Sequence, residues 1–174
     1  MSLQELIEEL KKVDRTRGPG YAADCESILA RIVELNDPSS IEHLVPFFED
    51  DPPYDEVMFS IVHSIEVFED QLYVAHLLSV AAEFCANSPR WASIVFMRII
   101  NSEPTKGELI HQLPNATESA KAAIRQLMEK INNRRAEFTA KTTPIIIAAS
   151  PPYRGRSTIN TTPTTGSDED GNED

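Results

Sequence analysis

The residues with the greatest chemical reach here are four histidines, two cysteines and a crowd of carboxylates near the middle of the chain. His63 and Glu66 stand three apart, the reverse order of the Glu-x-x-His pair that di-iron bundles build on. No second pair completes such a site. His76 finds its next acid, Glu83, only seven residues on, and no His-Glu-x-x-His occurs. The histidines therefore read as polar or half-buried helix positions, and no metal or other cofactor is expected. Cys25 and Cys85 form no Cys-x-x-Cys pattern, so neither a disulfide framework nor a zinc site is indicated. Cys85 lies in an apolar stretch, where a thiol is raised in pKa and inert. Glu49-Asp50-Asp51 and Asp55-Glu56 flank prolines on turns, not the kind of pocket that separates two carboxyl pKa values for acid–base work. There is no Gly-x-Ser-x-Gly elbow and no Gly-rich phosphate loop. The chain does not read as an enzyme.

Charge is more informative. The 174 residues carry 16 Lys and Arg against 28 Asp and Glu, a net charge of −12. Residues 32–89 hold 12 of the acids and no Lys or Arg, and the remaining 16 acids balance the 16 bases. Nucleic-acid binding runs on Lys and Arg displacing counterions from phosphates, so this composition speaks against it. It speaks equally against an anionic membrane surface. A basic protein surface is the electrostatic complement. The turn-borne acids Glu49, Asp50, Asp51, Asp55 and Glu56, with Glu69 and Asp70 on a second turn, are the candidate contacts. Tyr54 and Phe47 are the aromatic anchors beside them.

These residues need a helical scaffold. Eight segments carry apolar residues at helical spacing, and period-two alternation is nearly absent. Capping boxes are expected at Ser2/Glu5, Ser39/Glu42 and Asn115/Glu118, and Ser88 is expected to cap a helix with Pro89 in its first turn. Arg17-Gly-Pro-Gly20 should end the first helix, and Pro46 should shorten the third. The fifth, about Gln71 to Ala86, is apolar round most of its circumference and belongs in the middle of a packed array. On the sixth, Trp91 and Arg98 lie two turns apart on one side, with Asn101 one turn further. We read these three as a structural motif, with Arg98 clamped to a carboxylate or to helix-end carbonyls.

The class is all-α, as irregular HEAT-like antiparallel helix pairs, an α-solenoid, with a compact bundle as the alternative. The helical domain spans residues 1–136. Residues 137–174 read as a disordered Thr/Pro-rich tail with an acidic end, in which Ile145 to Ala149 is an apolar run able to dock. With no signal-peptide pattern and no apolar run of spanning length, the chain reads as cytoplasmic.

From about residue 20 to 115 the sequence resembles the immunity protein 30 family of bacterial polymorphic toxin systems. The likeness is carried by the helix start Pro89-Arg90-Trp91 and by Met97-Arg98-Ile-Ile-Asn101. It implies an all-helical cytoplasmic antitoxin that binds and neutralises the toxin domain of a cognate effector. Trp91, Arg98 and Asn101 match the family's pattern. A HEAT-like adaptor with no toxin partner is the other reading, and it would use the tail as a linear motif.

Overall fold

A computed structural model describes residues 1–152, and among them every regular element is helical. The α-helices are α1 (Leu3–Lys11), α2 (Pro19–Glu34), α3 (Ser40–Leu44), α4 (Asp55–Ile65), α5 (Asp70–Asn87), α6 (Pro89–Asn101), α7 (Glu103–Gln112), α8 (Glu118–Arg134) and α9 (Thr139–Ala148). Short 3-10 turns join several of them. No helix among the described residues is long and apolar enough to cross a membrane.

Helix starts follow local chemistry, not always at the residue the sequence suggests. Ser2 and Glu5 form their capping box. The other three caps differ. Asp37, not Ser39, accepts the bond at the entry to α3, from the Ser39 N–H at 3.0 Å. Thr117, not Asn115, accepts the Ala120 N–H at the start of α8. Ser88 turns its hydroxyl away to donate to the Phe48 carbonyl at 2.6 Å, leaving the α6 N-terminus to a residue from another turn. Gly18-Pro19-Gly20 opens α2 instead of closing α1. Gly18 takes φ 60°, which glycine reaches without a Cβ penalty, and Pro19 occupies the first turn of α2. At Pro46, α3 gives way to a 3-10 turn over Val45–Phe47.

Helix α1 packs on α2 and α3, α2 on α4, α3 on α4 and α5, α5 on α8, and α6 on α7 and α9. Cross-links between elements recur at long, similar separations. Many run from 32 positions (Arg98 to Glu66) to 41 (Gln112 to Gln71), whereas Arg31 to Glu9 spans 22 and Arg125 to Ala149 spans 24. Helix α5 touches α3, α6, α7 and α8, as its apolar circumference requires. One core runs from Leu6 in α1 to Ala149, and its largest fully buried side chain is Trp91.

The disorder expected from residue 137 does not hold for the first part of that segment. Residues Thr139–Ala148 form α9, packed mainly on α8. The prolines exclude a long helix, but α9 has only 10 residues and keeps Pro144 on its exposed side. Ile145 and Thr142 are fully buried. Burying one Ile contributes about 1.5–3 kcal/mol, and Thr142 donates to the Asn132 carboxamide oxygen at 2.5 Å. The Arg125 guanidinium reaches the Ala149 carbonyl at the helix end. Ile145 and Ala149 of the apolar run are therefore docked on the domain, while Ile147 stays exposed. The acidic end of the tail lies outside the described residues.

Candidate functional site

Helix α6 is the axis of the region the sequence singles out. Trp91 is fully buried near its start. The Phe48 ring stacks on it at 5.7 Å, the edge of Phe59 meets it at 5.0 Å, and the Arg90 guanidinium lies 5.2 Å over the ring. Aromatic packing of this kind binds α4, the turn before it and α6 into one unit. The indole N–H of Trp91 has no hydrogen-bond partner. Two turns on, Arg98 makes a bidentate pair with Glu66 at the end of α4, with N–O distances of 2.6 and 2.7 Å. The fork geometry suits a carboxylate, and the bonded carboxylate raises the Arg98 pKa further. Asn101 ends α6, and its side-chain oxygen accepts from Lys141 Nζ at 2.7 Å.

The acidic block is less bare than its sequence suggests, because bases from outside it fold back. Arg15 pairs with Glu49. Asp50 accepts the backbone N–H groups of Arg90 and Trp91 and so caps α6. Arg90 also donates to the Asp50 carbonyl at 2.8 Å and pairs with Asp55 at 3.1 Å. The Asp70 carboxylate takes the Thr105 hydroxyl at 2.6 Å. His76 Nδ1 donates to Glu42 at 2.9 Å. Of the candidate contacts, Asp51, Glu56 and Glu69 are exposed and make no side-chain hydrogen bond or ion pair among the described residues. Tyr54 is half-buried against Tyr21, ring centres 6.0 Å apart, and Phe47 is half-buried too.

At the C-terminal end of α6 lies a cavity of about 470 Å³. It brings together residues that the sequence presents separately: Glu66 and Asp70 from the acidic block, Arg98 and Asn101 from the helix motif, and Tyr73 and Thr105. Tyr73 is buried, and its hydroxyl has no hydrogen-bond partner. Burial first, and then the nearby Glu66, raises its pKa, so it stays a neutral hydroxyl.

The immunity protein 30 family model matches residues 17–109, more than half of the chain. The chain belongs to that family. No curated protein and no solved structure matches. The immunity protein 30 match takes in all of α6 and every residue lining the α6-end cavity. It stops short of α8 and α9.

That boundary separates two surfaces. A larger groove, about 980 Å³, lies between α5, α6 and α8. Its floor includes Cys85, Ile94, Met97 and Leu127, and Lys130 and Arg134 stand at its edge. Burial pushes the Cys85 thiol up to about 11, which keeps it unreactive. The α8 wall of this groove lies outside the immunity protein 30 match, whereas the α4–α6 face lies inside it. The described residues contain no group of three His, Cys, Asp or Glu placed to hold a metal ion.

Sequence reasoning missed the partners. Arg15, Glu66, Phe59, Tyr73 and Thr105 carry no local signal of their roles. Arg90 sits inside the Pro89-Arg90-Trp91 motif yet reads there only as part of a helix start. One signal was available: a carboxylate run on a turn, followed about 40 residues later by a Pro-started helix with no acid of its own in the first turn.

Proposed function

We propose that this immunity protein binds and neutralises a cognate bacterial toxin domain in the cytoplasm of the producing cell. It does so by laying an acidic surface on a basic one. Membership of the immunity protein 30 family carries this reading. The charge distribution supports the choice of surface. Arg15, Arg90 and Arg98 fold onto the acidic block, yet twelve acids against three arginines leave nine negative charges there. The exposed Asp51 and Glu56, with the exposed ring of Phe59 one turn further along α4, form a charged rim beside an aromatic anchor. Such a rim speeds encounter with a basic cleft, and the anchor holds the complex.

Cross-links recurring at 32 to 41 positions support reading the scaffold as stacked HEAT-like pairs. The function is binding, and it needs no cofactor.

Co-expression with the product of the neighbouring open reading frame tests the proposal. Growth rescue together with co-purification of a one-to-one complex is the expected result. Continued killing by a toxin that is expressed and active, with no complex formed, overturns it and favours the adaptor reading.

A further inference from the structure

The groove between α5, α6 and α8 runs against the charge of the chain as a whole. Arg90, Lys130, Arg134 and Arg135 line it with one acid, Asp50, a balance of +3 in a chain of net charge −12. Arg90 is engaged with Asp50 and Asp55, and Arg135 faces Glu137 at 3.9 Å. Lys130 and Arg134 differ. Both are exposed, and neither makes a side-chain hydrogen bond or ion pair among the described residues. They stand one turn apart on α8, so they form one edge of the groove. The apolar floor lies beside them, where an ion pair is screened less than in open water.

The same chain holds a segment of opposite charge. Residues 168–174 carry five acids, Asp168, Glu169, Asp170, Glu173 and Asp174, and no Lys or Arg. The described chain reaches Pro152 shortly after α9, which Arg125 and Asn132 hold to α8. Helical spacing puts those two residues on the side of α8 opposite Lys130 and Arg134. The path from Arg125 to Arg134 is about 14 Å along the helix, and passing round it adds about 15–20 Å. Residues 153–167 extend to about 50 Å, so the acidic run reaches the groove with length to spare.

Two other occupants carry negative charge: the acidic face of a second copy, and a nucleic acid. A second copy must come from solution, whereas a short tether holds the chain's own segment at an effective concentration in the millimolar range. The net charge of the chain repels a polyanion. We propose that residues 168–174 dock along the α8 edge of this groove, their carboxylates against Lys130 and Arg134. The covered groove then offers no basic counterpart to the acidic face of another copy, and that face stays open to a basic partner. This docking needs no toxin, so it stands apart from the toxin-binding reading.

Zero-length cross-linking of the full chain tests it. A carbodiimide joins a carboxylate to an amine only where the two touch, and Lys130 is the one lysine lining the groove. Lys12, exposed and unpaired among the described residues, serves as the control at the end of α1. Mixing unlabelled and heavy-nitrogen chains tells links within a chain from links between chains. Links from 168–174 to Lys130 within one chain should exceed those to Lys12 by about fivefold, the factor that two exposed ion pairs supply. They should fade at about 1 M salt, where the Debye length is about 3 Å. Arg134→Glu leaves Lys130 in place and should cut its yield about threefold. Equal yields on Lys130 and Lys12, no link to Lys130, or an unchanged yield in Arg134→Glu overturns the docking. Links to Lys130 between chains seat a second copy in the groove and overturn it too. Nucleic acid that co-purifies with the chain and is lost in Arg134→Glu does the same.

Discussion

The Asp50 carboxylate accepts the backbone N–H of Arg90 at 3.0 Å and that of Trp91 at 3.3 Å, forty and forty-one positions along the chain. A helix N-terminus leaves its first N–H groups without partners, and a side chain usually supplies the acceptor from the residue just before. Here the acceptor comes from the turn that precedes α4. The cap is therefore also a tether, which fixes that turn to α6 beneath the Arg90–Asp55 pair.

Asp50→Ala should cost about 1–2 kcal/mol, the upper range for losing a helix cap. Asp50→Asn keeps an acceptor oxygen and should cost less than half as much. Urea denaturation of the two variants checks this. Equal losses would show that the charge, not the cap geometry, matters at this position.

The Arg98–Glu66 pair is a second tether, and its size is bounded by exposure. The Arg98 side chain is 45% exposed and that of Glu66 23%. A pair this open contributes about 0.5–1 kcal/mol after solvent screening. A double-mutant cycle on Arg98→Ala and Glu66→Ala should return a coupling energy in that range, shrinking in high salt. A coupling energy near zero would mean that Arg98 acts only through the packing of its aliphatic stem.

The helices were legible because their apolar spacing is periodic, and most ends fell within a few residues of proline or turn signals. Long-range partners were not. Asp50, Asp55 and Asp70 look like free surface acids in sequence because their partners, Arg90, Trp91 and Thr105, lie 35 to 41 positions away. Helix α9 was missed for a related reason. Thr, Ile and Pro give weak helical propensity, and burial of Thr142 and Ile145 against the rest of the domain outweighs it. Arg98 and Glu66 were legible only in part: an arginine among Ile, Val and Met calls for a carboxylate, but sequence does not say which one.

Glu42 links α3 to α5 and carries a pH signature. Its hydrogen bond from His76, then one from Ser79, lowers its pKa below the ordinary 4.5. A carboxyl group depressed in the folded state adds stability that is fully present above its unfolded value and is lost as pH falls through the folded one. Glu42→Gln should therefore be less stable than wild type at neutral pH by about 0.5 kcal/mol, a figure reduced for partial exposure. The gap should close below the folded pKa, where the wild-type residue is also neutral. Thermal denaturation from pH 7 down to about pH 3 follows the closure. A gap that stays constant with pH would assign the effect to packing.

Asp51 and Glu56 offer the cleanest separation of binding from folding. Both are exposed, and neither is tied to a basic residue among the described residues, unlike Glu49, Asp50 and Asp55. Surface changes of this kind usually move stability by less than about 0.5 kcal/mol. Asp51→Lys with Glu56→Lys changes the net charge of the acidic face by +4, a change long-range attraction should register. Association with a basic toxin should slow by about tenfold at low ionic strength and much less at physiological salt, with dissociation nearly unchanged. Stopped-flow association across a salt series separates the two rates. A wild-type on-rate in the double variant would move the contact surface away from the start of α4.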